Sequence, residues 1–211
     1  MSSTNPGKQF EKDLKKSCQD QKVFCLRLND TYMSYAQHNK GEFAPHNIAD
    51  FIMYDGKYIY VAELKSTKYK SMSFSTDPMD KSVMIKAHQL AGLMGITEFE
   101  GVRPGLILNF RDDVNPSSNL TYWLPIGEMA KFMSTTEKKS INKLDIVQNN
   151  GILLTGELKR VHYKYDIKKL FDDISIYYKT HENTNIKEIM TEFREQQASS
   201  IEDAMDAFAG G

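Results

Sequence analysis

Two runs rich in aliphatic and aromatic residues, Ile48 to Tyr54 and Tyr58 to Lys65, stand on either side of Asp55-Gly56-Lys57. This pattern predicts a β-hairpin, which constrains the chain strongly because its turn decides which residues face one another. A two-residue turn at Asp55-Gly56 sets Tyr54 opposite Lys57, Ile52 opposite Ile59 and Asp50 opposite Val61. Side chains alternate between faces along a strand, so Asp50, Val61, Glu63 and Lys65 share one face, with Glu63 the diagonal neighbour of Asp50. A four-residue turn preserves this parity, whereas a three-residue turn puts the two carboxylates on opposite faces.

Two carboxylates about 7 Å apart among Ile48, Phe51, Ile52, Tyr60 and Val61 repel each other and lose hydration unless a cation compensates them. Magnesium suits such a pair: it prefers hard oxygen donors, keeps several waters, and is commonly held by one or two carboxylates together with substrate phosphate. Manganese is a possible substitute. Lys65, two residues beyond Glu63 on the same face, can orient or help deprotonate an attacking water and offset charge on phosphorus. The plain alternative is a solvated acidic pair on an edge hairpin, with Lys65 as its surface ion-pair partner.

The rest of the chain reads as an α/β core. Asn5-Pro6 is an N-cap followed by proline, and Phe10, Leu14 and Cys18 recur every fourth residue, which predicts a helix over 6–20. The apolar run Val23 to Leu28 suits a strand buried on both faces. Residues 29–47 form a long polar excursion, and Lys68 to Met79 a second polar loop. Asp80 can cap a helix running to Met94, stopped by Gly95. Leu106 to Phe110 and Leu120 to Leu124 form a second hairpin around Arg111-Asp112-Asp113 and Asn115-Pro116. A short helix over 126–133, a polar segment, a strand near 152–154 and the basic stretch Lys159 to Lys169 complete a mixed sheet flanked by helices. An amphipathic helix over 184–208, carrying Ile186, Ile189, Met190, Phe193, Ile201, Met205 and Phe208, is expected as an addition. Its acidic end, with Glu202, Asp203 and Asp206, could bind a partner. The expected division is a body over 1–175 and a helical tail over 176–211.

Composition narrows the setting. No stretch is apolar for long enough to span a membrane, and the N-terminal residues lack the apolar core of a signal peptide, so a cytoplasmic protein is expected. Cys18 and Cys25, the only cysteines, are too few for a thiolate zinc site or a disulfide framework, and read as packing thiols. The formal net charge is −1, so any attraction to nucleic acid must come from local clusters of basic residues. Lys8, Lys12, Lys15 and Lys16 on the first helix, and Lys68 and Lys70 after the hairpin, form such clusters. Lys159, Arg160, Lys164, Lys168 and Lys169 form a third.

Asp50, twelve intervening residues, then Glu63-Leu64-Lys65 resembles the PD-(D/E)xK nuclease core, and the context is similar to the RecU type of Holliday junction resolvase. Gly7-Lys8-Gln9-Phe10-Glu11 matches that family's Gly-Lys-x-x-Glu pattern on the first helix. The strand-turn-strand through Gly56-Lys57-Tyr58-Ile59 matches its acidic-x-Lys hairpin, and His88-Gln89 its His-Gln pair on the next helix. The similarity spans roughly residues 5–170. It implies a restriction-endonuclease-like fold with Asp50 and Glu63 binding magnesium, Lys65 assisting the water, and Gln89 and Glu11 completing the catalytic pocket; His88 is expected to be structural or phosphate-contacting. Two departures stand out. Ile48-Ala49 occupies the place where the family carries threonine. Residues 29–47, where the family projects a basic arm into the junction, hold Lys40 and no arginine, although Tyr32, Tyr35 and Phe43 could stack on exposed bases.

The resemblance implies a magnesium-dependent, homodimeric endodeoxyribonuclease that resolves Holliday junctions and other branched DNA recombination intermediates. The two alternatives are a restriction-like or repair nuclease acting on duplex or flap DNA, and a non-catalytic DNA-binding factor whose acidic pair is vestigial.

Overall fold

The structure, a computed structural model, describes residues 5–28 and 47–181. Apart from Asn47, the polar excursion expected over 29–47 lies outside the described residues, as does the expected helix over 184–208.

Helix α1, Pro6–Asp20, starts where the sequence predicts, with the Asn5 side chain accepting from the Gly7 N–H at 2.9 Å. Its every-fourth-residue stripe, Phe10, Leu14 and Cys18, is buried. The strands β1 (Phe24–Arg27), β2 (Phe51–Tyr54), β3 (Ile59–Thr67), β5 (Val102–Phe110), β6 (Leu120–Pro125) and β8 (Ile152–Leu153) form one six-stranded sheet in the order β1-β2-β3-β5-β6-β8. The β3–β5 pair is parallel and the others antiparallel, so the sheet is mixed. Helix α2 (Ala87–Gly95) lies between the two parallel strands in sequence, as a parallel crossover requires.

Alternation along β3 divides the core. Val61 joins Leu106, Leu108, Leu90, Leu93 and Ile126 on the face covered by α2 and α3 (Ile126–Thr135). Ala62 and Leu64 join Phe10, Leu14, Leu170 and Ile174 on the face covered by α1 and α5 (Ile167–Thr180). Two small sheets complete the body. β4 (Ser71–Ser73) pairs with β7 (Ser140–Asn142), which leads into the short helix α4 (Lys143–Gln148); β9 (Gly156–Lys159) pairs with β10 (His162–Tyr165). The β9–β10 hairpin is tied to α1: Asp13 accepts from the Tyr163 N–H at 3.0 Å and Ser17 from the Tyr165 N–H at 2.9 Å. The architecture is therefore a mixed sheet flanked by helices on both faces, as expected.

Several local expectations are corrected. The hairpin turn has four residues, Asp55 to Tyr58, because Asp55 Oδ1 accepts from both the Lys57 and Tyr58 N–H groups at 2.7 Å and Gly56 takes up φ +101°. The pairing thus shifts by two, with Tyr54 opposite Ile59 and Ile52 opposite Val61, and the parity survives. β1 is an edge strand with one face open, Phe24 and Leu26 being 59% and 48% exposed, rather than a strand buried on both sides. The helix expected from Asp80 begins at Ala87, because Asp80 turns its carboxylate to the Ser82 N–H and hydroxyl and closes a local turn. Lys68 to Met79 contains the strand β4, anchored by buried Met72. The basic stretch Lys159 to Lys169 folds into β10 and the start of α5. Helix α5 runs unbroken to Thr180 and buries Ile174 and Tyr177. No described helix is long and apolar enough to cross a membrane.

Candidate active site

β3 is third of six strands and pairs on both sides, so a polar side chain at its middle stands in the best-ordered part of the fold. Glu63 is that side chain. It shares the face of Val61 and is 3% exposed, yet Oε1 accepts from Lys65 Nζ at 2.6 Å and from Gln89 Nε2 of α2. A carboxylate this deep is tolerable only with such donors, since an uncompensated buried charge costs several kcal/mol. Gln89 is held in turn, its Oε1 accepting from the Lys86 N–H at 3.1 Å. The pattern explains why both residue types sit where they do: β3 presents Glu63 and Lys65 to α2, and the first turn of α2 returns an amide.

Asp50 lies immediately before β2. The antiparallel register, carried back one step from Phe51 opposite Ala62, sets it beside Glu63 on the same face. Its Oδ2 accepts from the Leu64 N–H at 2.8 Å. Burial pushes the Asp50 carboxyl above the ordinary aspartate value. The Leu64 N–H, Lys65 and Arg27 favour the carboxylate, and the negative charge of Glu11 adds to the rise. The hairpin thus carries a buried carboxylate compensated by an ammonium and an amide, and a second, partly desolvated carboxylate whose ionisation is disfavoured.

The sequence-predicted residues do not all converge equally. Asp50, Glu63, Lys65 and Gln89 come together. Glu11 comes near enough for its charge to act on Asp50, but its carboxylate is engaged by Arg27, whose Nε donates to Oε2 at 2.6 Å. Arg27 was missed by sequence reasoning; the signal was one basic residue inside the apolar run Val23 to Leu28, opposite the residue after Asp50. His88 is exposed on α2. Lys8, Lys12 and Lys15 are exposed along one side of α1, and Lys68 and Lys70 are exposed just past the end of β3. In the third basic cluster, Lys159 pairs with Glu157 and Lys169 with Asp173. Cys18 is a buried thiol and Cys25 a half-buried one.

Among the described residues no group of three or more His, Cys, Asp or Glu side chains could hold a metal ion. Among the described residues the candidate donors are the carboxylates of Asp50 and Glu63. Two hard oxygen donors fit magnesium, which completes its shell with water and phosphate, and do not fit zinc, which takes three or four protein ligands.

No family model matches the chain. A SPbeta prophage-derived uncharacterized protein, YotM of Bacillus subtilis strain 168, is similar at 29% identity over 185 residues, covering 82% of this chain and 89% of that protein. Among solved structures, Archaeoglobus fulgidus Hjc, a Holliday junction resolvase from an archaeal hyperthermophile, is similar over 70% of this chain and 95% of its own, with a TM-score of 0.45 and 16% identity.

Proposed function

We propose that the protein is a magnesium-dependent endodeoxyribonuclease that hydrolyses phosphodiesters in branched DNA, four-way junctions foremost. The observation that carries this reading is the buried Glu63 carboxylate, bonded to Lys65 and Gln89 on the face it shares with Asp50. A buried acid-and-ammonium cluster in mid-sheet serves no packing purpose that apolar residues would not serve better.

Asp50 and Glu63 would hold the cation, which supplies Lewis acidity to the phosphodiester. Lys65 keeps a positive charge beside Glu63 and can donate toward oxygen atoms on which negative charge builds. Gln89 fixes the Glu63 rotamer through its amide. Arg27 restrains Glu11, limiting the extra negative charge that Asp50 feels. Water adds to phosphorus, the phosphorus–oxygen bond to the leaving strand breaks, and that oxygen takes up a proton. A two-fold homodimer, with one site per subunit, suits the two symmetric cut positions of a four-way junction. Action in the cytoplasm belongs to the same reading.

The test compares a synthetic four-way junction, a flap and a linear duplex at equal salt with magnesium. Cutting is expected to favour the junction. Asp50→Asn and Glu63→Gln should bind DNA but cut at least ~10²-fold more slowly, the scale of losing one charge-stabilising group. Full activity in either variant overturns the assignment. Equal cutting of linear duplex leaves a nuclease of another substrate class.

A further inference from the structure

Just past the catalytic strand lies a second polar feature that the proposed chemistry does not use. β3 and β5 run parallel and end side by side, and the Arg111 N–H donates to the Thr67 carbonyl at 2.7 Å where they stop. A cleft of about 360 Å³ opens there, lined by Lys68, Tyr69 and Lys70 from one side, Arg111 from the end of β5, and Lys143 from the start of α4. Thr67 is four residues beyond Glu63, which is roughly 13 Å at ~3.3 Å per strand residue.

The charge in this cleft is only partly answered. Among the described residues, Lys68, Lys70 and Lys143 form no ion pair with a carboxylate. Lys68 lies over the Tyr69 ring at 5.8 Å and Lys143 over the Phe110 ring at 6.0 Å, positions that hold the ammonium groups without neutralising them. Arg111 spends NH1 on Asp113, while its Nε is buried and without a partner. The two acidic residues lining the cleft are already engaged. Asp112 accepts from the Val114 and Asn115 N–H groups and from the Ser118 hydroxyl, and Asp113 pairs with Arg111. Four cations thus face two carboxylates, Asp113 paired with Arg111 and Asp112 held by its own loop and acting on Lys143, so the cleft keeps a surplus of positive charge. An unmet donor on a planar guanidinium beside three unpaired ammonium groups suits one ligand chemistry above others, the phosphate oxygens of a nucleic-acid strand.

We infer that the cleft between Lys68–Lys70, Arg111 and Lys143 seats successive backbone phosphates of the bound DNA strand, beginning a few nucleotides along from the phosphate at Glu63. With ~3.4 Å of helix axis per phosphate in one strand, ~13 Å corresponds to three or four phosphates. The inference rests on the proposed DNA substrate and adds the path that the strand takes away from the site. Lys68 and Lys70 act here together with Arg111 and Lys143, which come from distant parts of the chain.

The test is read on binding in EDTA, so it does not depend on cutting. Affinity for a junction oligonucleotide is measured against salt concentration for the wild type, the double variant Lys70→Gln/Lys143→Gln, the single variant Lys68→Gln, and Lys131→Gln on α3 as a control. All four lysines are exposed, so thermal melting should be unchanged. The double variant should lose about 10-fold or more in affinity, and its slope of log K against log salt should shrink by about 2, against about 1 for Lys68→Gln and nothing for Lys131→Gln. Wild-type slopes in both cleft variants overturn the inference, even if the wild type cuts DNA. A wild type that binds with its full slope yet cuts nothing with magnesium sinks the proposed hydrolysis and leaves the cleft assignment standing.

Discussion

Lys65→Met separates a catalytic cluster from an ordinary surface ion pair. Glu63 keeps 4% of its side chain exposed and Lys65 keeps 17%, so removing the ammonium takes the paired positive charge away from a buried carboxylate that Gln89 also bonds. Breaking one side of a buried pair costs about 3–5 kcal/mol, and the partial exposure of Lys65 places this case near 3. For a chain of this size each kcal/mol moves the melting temperature by roughly 2–4 °C, so the metal-free variant should melt about 6–12 °C below the wild type. Magnesium at 100 times its dissociation constant adds about 2.7 kcal/mol to any fold that binds it. Without Lys65 to share the Glu63 oxygen, the variant should gain more from magnesium than the wild type does, while losing cutting. The assay is calorimetric melting in EDTA and again in saturating magnesium. An EDTA melting point within about 1 °C of wild type would show that Glu63 is solvated and the pair superficial. A magnesium shift no larger than wild type would show that the cation binds elsewhere.

Asp50 carries a pH signature. Its folded-state carboxyl titrates above the ordinary aspartate value, so the folded protein holds a proton that the unfolded chain has released, and metal-free stability falls as pH rises from about 4 through the raised value. Asp50→Asn keeps an oxygen for the Leu64 N–H; it should flatten that slope in EDTA melts and melt higher at neutral pH, and an unchanged slope would remove Asp50 as its source. Arg27→Gln takes away a cation that favours the Asp50 carboxylate and releases Glu11, which opposes it. The acid limb of the pH–rate profile should therefore move to higher pH, and a shift to lower pH would break the link between the two pairs.

What the sequence disclosed depended on periodicity. The convergence of Asp50, Glu63 and Lys65 was legible because face alternation follows from residue count alone, and a turn of two or four residues gives the same answer. The register itself was not legible, since the Asp55 side chain captures two backbone N–H groups and lengthens the turn. The strand at Phe24 to Arg27 was found but misjudged as doubly buried, because apolar content does not reveal which face of an edge strand has a neighbour. The helix start at Ala87 was hidden by Asp80, which reads equally as a cap or as a turn residue. Arg27 escaped notice because it acts through Glu11, a partner that the packing of α1 against the sheet brings close and that a single sequence does not encode at any fixed spacing.

The central placement of β3 divides labour across the molecule. Glu63 and Lys65 ride on a central strand that pairs with β5 along its whole length and with β2 up to Ala62. The basic side chains of the Lys68–Lys70 loop and of the turn after β5 hang at the rim, where insertions and substitutions are well tolerated. On the proposed reading, relatives built on this frame could trade one DNA shape for another by rewriting rim loops while the Glu63–Lys65 strand stays untouched. Selection on what is grasped and selection on how it is cut would act on separate parts of the chain.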